Sequence, residues 1–303
     1  MSGLLSPIFE PGFFANATVH TAAVVGAVVA TLSACVGVFA VIRSQAFAGE
    51  ALGDVGATGG SGAYLVGINP LWGFVGTAIA AGGIIELLGS RHRTDRDLAT
   101  GVVLGAGLGL AALFLYLDST HSSTTGVSIT ILFGSLFAIN SSLIPTIVLL
   151  GLIALAVIAI FYRMLLLSSL SSELAAARGV PVRIVGAVYL VALAVAVGLA
   201  ALTIGAVLST ALLIGPPATA LRLTKRPGLA SVAAAAIGVL ATWLGILLAY
   251  DSYDWPPIDH GWPVSFLVVV VIFAFYLLAH LPIGERPRGR LAQNAPTPAR
   301  LGL

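Results

Sequence analysis

Two carboxylates stand one helical turn apart in an otherwise apolar stretch of the sequence. Glu50 and Asp54 are separated by four positions, so on a helix their side chains share one face. Like charges on that face repel, and each carboxylate loses hydration when it is buried. A proton, a basic partner or a bound cation must therefore compensate them. The nearest basic residue is Arg43, about two turns before Glu50.

The residues alone leave two interpretations of this pair open. In the first, Glu50 and Asp54 form a cation site on a pathway, because carboxylate oxygens suit hard or borderline divalent ions. In the second, they are a structural feature that is ion-paired with Arg43. Residues 55–62 contain four glycines, which predict a broken helix. Broken helices at membrane depth are tolerated where they line a cavity.

The chain contains none of the common catalytic motifs. It has no HExxH metalloprotease motif and no GxSxG nucleophile elbow. Its only lysine, Lys225, stands between Thr224 and Arg226, so no GK[ST] sequence and no P-loop exist. We therefore expect that it is not an enzyme and that any ATP hydrolysis takes place in a partner subunit. The net charge of +2, with its basic residues scattered, indicates no nucleic-acid partner.

The elements that position these residues are predicted to be transmembrane helices. Hydrophobic residues make up 58% and charged residues 9% of the chain, whereas about a quarter of a soluble domain is charged. Helices satisfy their backbone groups within lipid, and many of the apolar runs approach the roughly 20 residues that a span requires. The fold class is therefore all-α, a polytopic transmembrane helical bundle surrounded by membrane lipid.

The predicted spans number eight or nine. A break at Gly205 divides the long apolar stretch 182–221 into two crossings, and residues 126–139 form a shorter, re-entrant or interfacial piece. The spans lie near 18–42, 47–67, 70–90, 98–117, 141–167, 182–203, 206–221, 228–250 and 263–283.

The distribution of positive charge orients this bundle. When the N-terminus is placed outside, all fourteen Lys and Arg residues fall in cytoplasmic segments, and the opposite side carries acidic residues only. We expect a multi-pass protein of the bacterial cytoplasmic (inner) membrane, with the C-terminus in the cytoplasm. Residues 1–17 form an extracytoplasmic segment without a cleavable signal, 18–283 the membrane domain, and 284–303 a disordered cytoplasmic tail.

An acidic and aromatic loop at 251–262 lies on the predicted outer side. Asp254, Asp259 and His260 are candidates for guiding a cation towards the membrane domain. An ordinary solvated loop is the alternative.

Four sequence segments resemble the membrane permeases of zinc/manganese-type ATP-binding-cassette (ABC) transporters. Residues 43–55, RSQAFAGEALGDV, resemble the family pattern RxxAFxGDAxSH. The other three matches are LFGS at 132–135, ELAAARGV at 173–180 and STALLIGPPATA at 209–220. Together the matches extend, in the family's order, from residue 43 to about residue 283.

The resemblance implies partners as well as a fold. It implies a homodimer of permeases, two cytoplasmic ATPase subunits and an extracytoplasmic metal-binding protein. It also implies that 171–180 is the coupling helix, so that Glu173, Arg178 and Gly179 contact the ATPase. The family's intramembrane metal pair, Asp and His, falls on Glu50 and Asp54. Glutamate keeps the charge of the first, whereas aspartate removes the nitrogen donor of the second.

The expected function is that of a permease subunit of an ABC importer for a divalent metal ion, zinc or manganese, powered by a separate ATPase. The metal is the transported substrate, and no covalently bound cofactor is expected. A permease for a metal chelate or another small solute is the first alternative. A membrane scaffold or receptor without transport activity is the second.

Overall fold

The computed structural model describes residues 16–88, 93–121, 126–134, 136–252 and 261–281. Within these ranges the chain forms helices joined by short connections, and no strand occurs. Two short 3₁₀ helices, Leu136–Ala138 and Ser141–Leu143, stand between α5 and α6. The α-helices are α1 Ala17–Ile42, α2 Ala46–Leu65, α3 Pro70–Leu88, α4 Arg93–His121, α5 Gly126–Phe133, α6 Ile144–Leu170, α7 Ser172–Ala177, α8 Val182–Ile204, α9 Ala206–Leu223, α10 Pro227–Asp251 and α11 Val264–Leu278.

The predicted all-α membrane bundle is confirmed. Each of the nine predicted spans contains one helix: α1, α2, α3, α4, α6, α8, α9, α10 or α11. Among the described residues, seven helices are long and apolar enough to cross a membrane. The other two are α11, which has 15 residues, and α2, which is rich in glycine and carries both candidate carboxylates.

The predicted break at Gly205 is also confirmed. Helix α8 ends at Ile204 and α9 begins at Ala206, with Gly205 between them at a φ of +100°. Residues with a side chain rarely adopt this conformation. Gly134, at the end of α5, also has a positive φ and packs so closely on the break that a Cβ there would overlap the backbone of Ile204 and Gly205.

The predicted break in α2 is wrong, because α2 is one continuous helix from Ala46 to Leu65. Its glycines allow close packing instead. A Cβ on Gly73 of α3 would lie 2.6 Å from the carbonyl carbon of Gly59, and a Cβ on Gly60 would overlap the ring of Phe74. Small residues let membrane helices approach in this way, and an unbroken helix keeps its backbone hydrogen bonds within lipid.

Helices α1 and α8 form the centre of the bundle. About two thirds or more of the spanning part of each is buried, against 22% for α4 and α6. Helix α1 packs on α6, α8, α9 and α10, while α2 packs on α3, α4, α8 and α9. Exposed faces of α4 and α6 must therefore be covered by lipid or by another subunit.

The two ends of the bundle differ in charge. One end, called the basic end here, holds the turns at α1–α2 and α9–α10 together with α7. The other, the acidic end, carries Asp118 of α4 and Asp251 of α10. Cations described at the basic end are Arg43, Arg163, Arg178, Arg183, Arg222, Lys225 and Arg226. This separation agrees with the predicted partition; the membrane side that each end faces stays a prediction.

Candidate functional site

Helix α2 places Glu50 and Asp54 on one face, in its second and third turns from the basic end. In the single chain Glu50 is exposed and Asp54 is half-buried. The neighbouring glycines lie on a different face, where Gly49 packs on Leu213 and Gly53 on Ser209 of α9. The carboxylate face is therefore the one that α9 leaves uncovered at this level. The two carboxylates are close enough for their charges to repel.

Towards the acidic end, α5 covers the same face of α2. Ala57, about one turn after Asp54, is buried in a cluster with Ile131 of α5 and Ala206 of α9. Ser61, a further turn along, is buried and donates its hydroxyl hydrogen to carbonyl groups of its own helix. On the acidic side of the carboxylates this face of α2 is thus buried, whereas Glu50, nearer the basic end, is exposed.

Contacts with two neighbouring elements hold α5 in place. Gly134 packs on the α8–α9 break at Gly205. On the other side, the hydroxyl of Ser265, in α11, donates a hydrogen bond to the carbonyl oxygen of Phe133. Backbone atoms of Phe133 and Gly134 thus hold the end of α5, in addition to the buried side chain of Ile131.

The guanidinium of Arg43 contacts α6 and α8. Nε donates to Ser169 Oγ at 2.8 Å, and Nη2 donates to Ser168 Oγ at 2.6 Å. The guanidinium carbon lies 4.7 Å from the centre of the Tyr189 ring. These contacts attach the α1–α2 turn to α6 and α8.

The sequence did not predict these partners of Arg43. The available signals were a pair of serines near the end of an apolar run, 168–169, and one tyrosine inside another, Tyr189. Neither signal identifies a partner, because each depends on which helices meet in space.

The segment 171–180 forms the short helix α7 at the basic end. Ser171 caps it by accepting a hydrogen bond from the Leu174 backbone N–H at 3.2 Å. Glu173, Arg178 and Gly179 are all exposed, and Ala175 is the buried anchor. The segment therefore offers an exposed surface of the kind that a coupling helix requires, although its role stays a prediction.

The structure leaves the other predicted site residues untested. Asp254, Asp259 and His260 lie outside the described residues, as do 1–15 and the tail 284–303. Within the described part of the chain, no group of three or more His, Cys, Asp and Glu side chains is placed to hold a metal. Glu50 and Asp54 thus offer only part of a coordination shell from one chain.

Comparison with known protein families and curated proteins gives matches along most of the chain. A family model described as the ABC 3 transport family matches residues 15–280. The manganese transport system membrane protein MntC of Halalkalibacterium halodurans is 32% identical over 219 residues, which cover 71% of this chain and 74% of that protein. The manganese import system permease protein ScaB of Streptococcus gordonii is 29% identical over 239 residues, which cover 79% of this chain and 83% of that protein.

A solved structure shares the fold. PsaBC from Streptococcus pneumoniae, determined in complex with a Fab, superposes with a TM-score of 0.76 and 22% sequence identity. The superposition covers 89% of this chain and 94% of that one. The arrangement of helices around α2 is therefore one that a known membrane protein adopts.

Proposed function

The chain belongs to the ABC 3 transport family, and we propose that it is the membrane permease subunit of an importer that moves a divalent metal ion across the cytoplasmic membrane. The observation that carries this proposal is the carboxylate pair, Glu50 and Asp54, on a continuous membrane-embedded helix below α5. Like charges held this close together within a membrane require a compensating cation or proton.

Manganese is the ion that the donor atoms support best. Both candidate ligands present carboxylate oxygens, which suit manganese, whereas zinc sites in proteins more often include histidine or cysteine. Relatives described as manganese transport proteins support the same choice. Zinc remains the second ion that the proposed transporter would carry.

We propose that a second copy of the chain completes the site. One chain supplies two carboxylates, and Glu50 is exposed when the chain stands alone. Two chains related by a twofold axis would supply four carboxylates, enough to hold a divalent ion. Four negative charges also disfavour occupation by a monovalent ion.

Energy for transport is proposed to come from a separate ATPase. The chain has no P-loop of its own, and α7 offers an exposed surface at the basic end. In this proposal the basic end faces the cytoplasm, where the ATPase subunits dock on Glu173, Arg178 and Gly179. An extracytoplasmic binding protein delivers the ion to the acidic end in this proposal.

Manganese uptake into vesicles that contain the chain with its ATPase subunits tests the proposal. We expect Glu50→Gln combined with Asp54→Asn to abolish uptake, because neutral amides do not compensate a divalent charge. Glu86→Gln removes a carboxylate near the basic end of the neighbouring helix α3; it is the matched control and should leave uptake unchanged.

Two outcomes would contradict this assignment. Uptake at the wild-type rate by the double variant would show that Glu50 and Asp54 do not bind the transported ion. Uptake of a chelated metal that free manganese salts do not compete with would favour the permease for a metal chelate instead.

A further inference from the structure

Arg43 connects the turn before α2 to the helix that leads into α7. Two of its hydrogen bonds reach the hydroxyl oxygens of Ser168 and Ser169, which lie in the last turn of α6, and a longer one of 3.4 Å reaches the carbonyl oxygen of Leu165. Helix α6 ends at Leu170, and α7 begins at Ser172. Two charge-assisted hydrogen bonds from one planar guanidinium fix direction as well as distance.

The same guanidinium also contacts the helix that follows α7. Tyr189 stands seven positions after Val182, the first residue of α8. Its ring is fully buried and packs edge-on against Phe39 at 6.5 Å. A cation over a desolvated aromatic ring is attracted to it. Arg43 therefore contacts both α6 and α8, the helices that precede and follow the proposed coupling helix α7.

The connection from Arg43 to the carboxylates is short and rigid. The α1–α2 turn is closed by a backbone hydrogen bond from Gln45 N to Ala40 O at 2.8 Å. Helix α2 begins immediately afterwards at Ala46, and Glu50 follows one turn later in an unbroken helix. A displacement of the turn would therefore move the carboxylate face as a unit.

We propose that Arg43 is the positioning residue that couples movement of α7 to the carboxylate pair. The inference rests on the proposed function, in which α7 receives the movement of the ATPase and the pair on α2 holds the ion. When the α6–α7–α8 unit moves, Arg43 carries the α1–α2 turn with it. The start of α2 then shifts relative to α5, which alters the access of Glu50 and Asp54 to either side of the membrane.

A rival role for Arg43 is to neutralise Glu50 directly. Under that role the two serine hydroxyls are incidental, because the guanidinium charge is unchanged without them. Replacing Ser168 and Ser169 by alanine therefore separates the two roles: it removes the two short hydrogen bonds to the hydroxyl groups and keeps the charge.

The experiment measures manganese uptake and ATP hydrolysis together in vesicles that contain the complete transporter. For Ser168→Ala combined with Ser169→Ala we expect uptake per ATP hydrolysed to fall about tenfold. The manganese concentration that gives half-maximal uptake should not change, since the ion ligands are intact. Arg43→Gln should reduce uptake per ATP at least as much, and adding the serine changes to it should have no further effect.

Two control variants distinguish a positioning role from a general loss of charge or stability. Arg163→Gln removes an exposed cation from the same helix, α6, and should behave as the wild type. Arg43→Lys keeps the charge without the two-pronged geometry, so it should restore only part of the uptake per ATP.

Three results would overturn the inference or its premise. Wild-type uptake per ATP in the serine double variant would exclude a coupling role for Arg43. A raised half-saturating concentration with unchanged uptake per ATP would assign Arg43 to the ion site instead. ATP hydrolysis without manganese or zinc uptake by the wild-type complex would overturn the proposed function itself.

Discussion

Asp54 is the residue at which the donor chemistry of this chain departs from its family pattern. That pattern has histidine here, and the aspartate replaces a ring nitrogen by carboxylate oxygens. Imidazole suits zinc, whereas carboxylate suits manganese. Because Asp54 is half-buried on a continuous helix, a different side chain at this position would present its donor atoms in the same place. We therefore expect metal preference to follow the residue at this position.

Asp54→His should shift the preference of the transporter towards zinc. We expect the ratio of zinc to manganese uptake to rise about tenfold, which corresponds to roughly 1.4 kcal/mol of differential binding. Competition between the two ions in the same vesicles measures this ratio. Asp54→Asn serves as the control, because it removes the charge without adding a nitrogen donor ligand. An unchanged ratio of zinc to manganese uptake in Asp54→His would show that the residue at position 54 does not determine metal preference.

Glycine has two different structural roles in the helices that surround the carboxylates. At Gly205 it permits a backbone conformation that ends one helix and starts the next. The sequence predicted this break, because an apolar stretch of 182–221 is too long for one crossing. In α2 the glycines pack closely against α3, α4 and α9, and the helix continues. That outcome was not predictable, since it depends on which helix packs against each glycine.

Gly205→Ala should destabilise the chain. A Cβ at this position is strained by the φ of +100° and would overlap the backbone of Leu132 and Phe133. We expect the free energy of unfolding to fall by about 3 kcal/mol, measured by thermal unfolding of the purified chain. Gly105→Ala is the matched control, because a Cβ there meets no atom within 4 Å. Equal melting temperatures for the two variants would contradict this prediction, because the α8–α9 junction would then accommodate the added Cβ without a loss of stability.

The whole molecule has one basic and one acidic end, and this polarity was predictable from sequence. Hydropathy locates the spans, and counting Lys and Arg in the connections between successive spans is then enough to predict which end is basic. The contacts of Arg43 with α6 and α8 were not predictable in the same way. They require three helices distant in sequence to meet at one point, and neither periodicity nor composition specifies that meeting.

Cysteine labelling tests the orientation of the bundle. In a Cys35→Ser background, Val66→Cys places a thiol in the exposed α2–α3 turn, and Lys225→Cys places one in the α9–α10 turn. A membrane-impermeant thiol reagent added to intact cells should label the first variant and spare the second. In inside-out vesicles the pattern should reverse. Labelling of Lys225→Cys from outside the cell would invert the proposed topology.

The contact between Gly134 and Gly205 has a consequence for how fast the acidic side can open. Because both partners lack a side chain, the surfaces that separate are peptide planes, and no rotamer has to change. Movement of α5 away from the α8–α9 junction would then separate these peptide planes, withdraw the side chain of Ile131 from its buried cluster and break the hydrogen bond from Ser265. The glycine contact itself thus adds no side-chain rearrangement to this movement, and the barrier to it comes from Ile131 and Ser265.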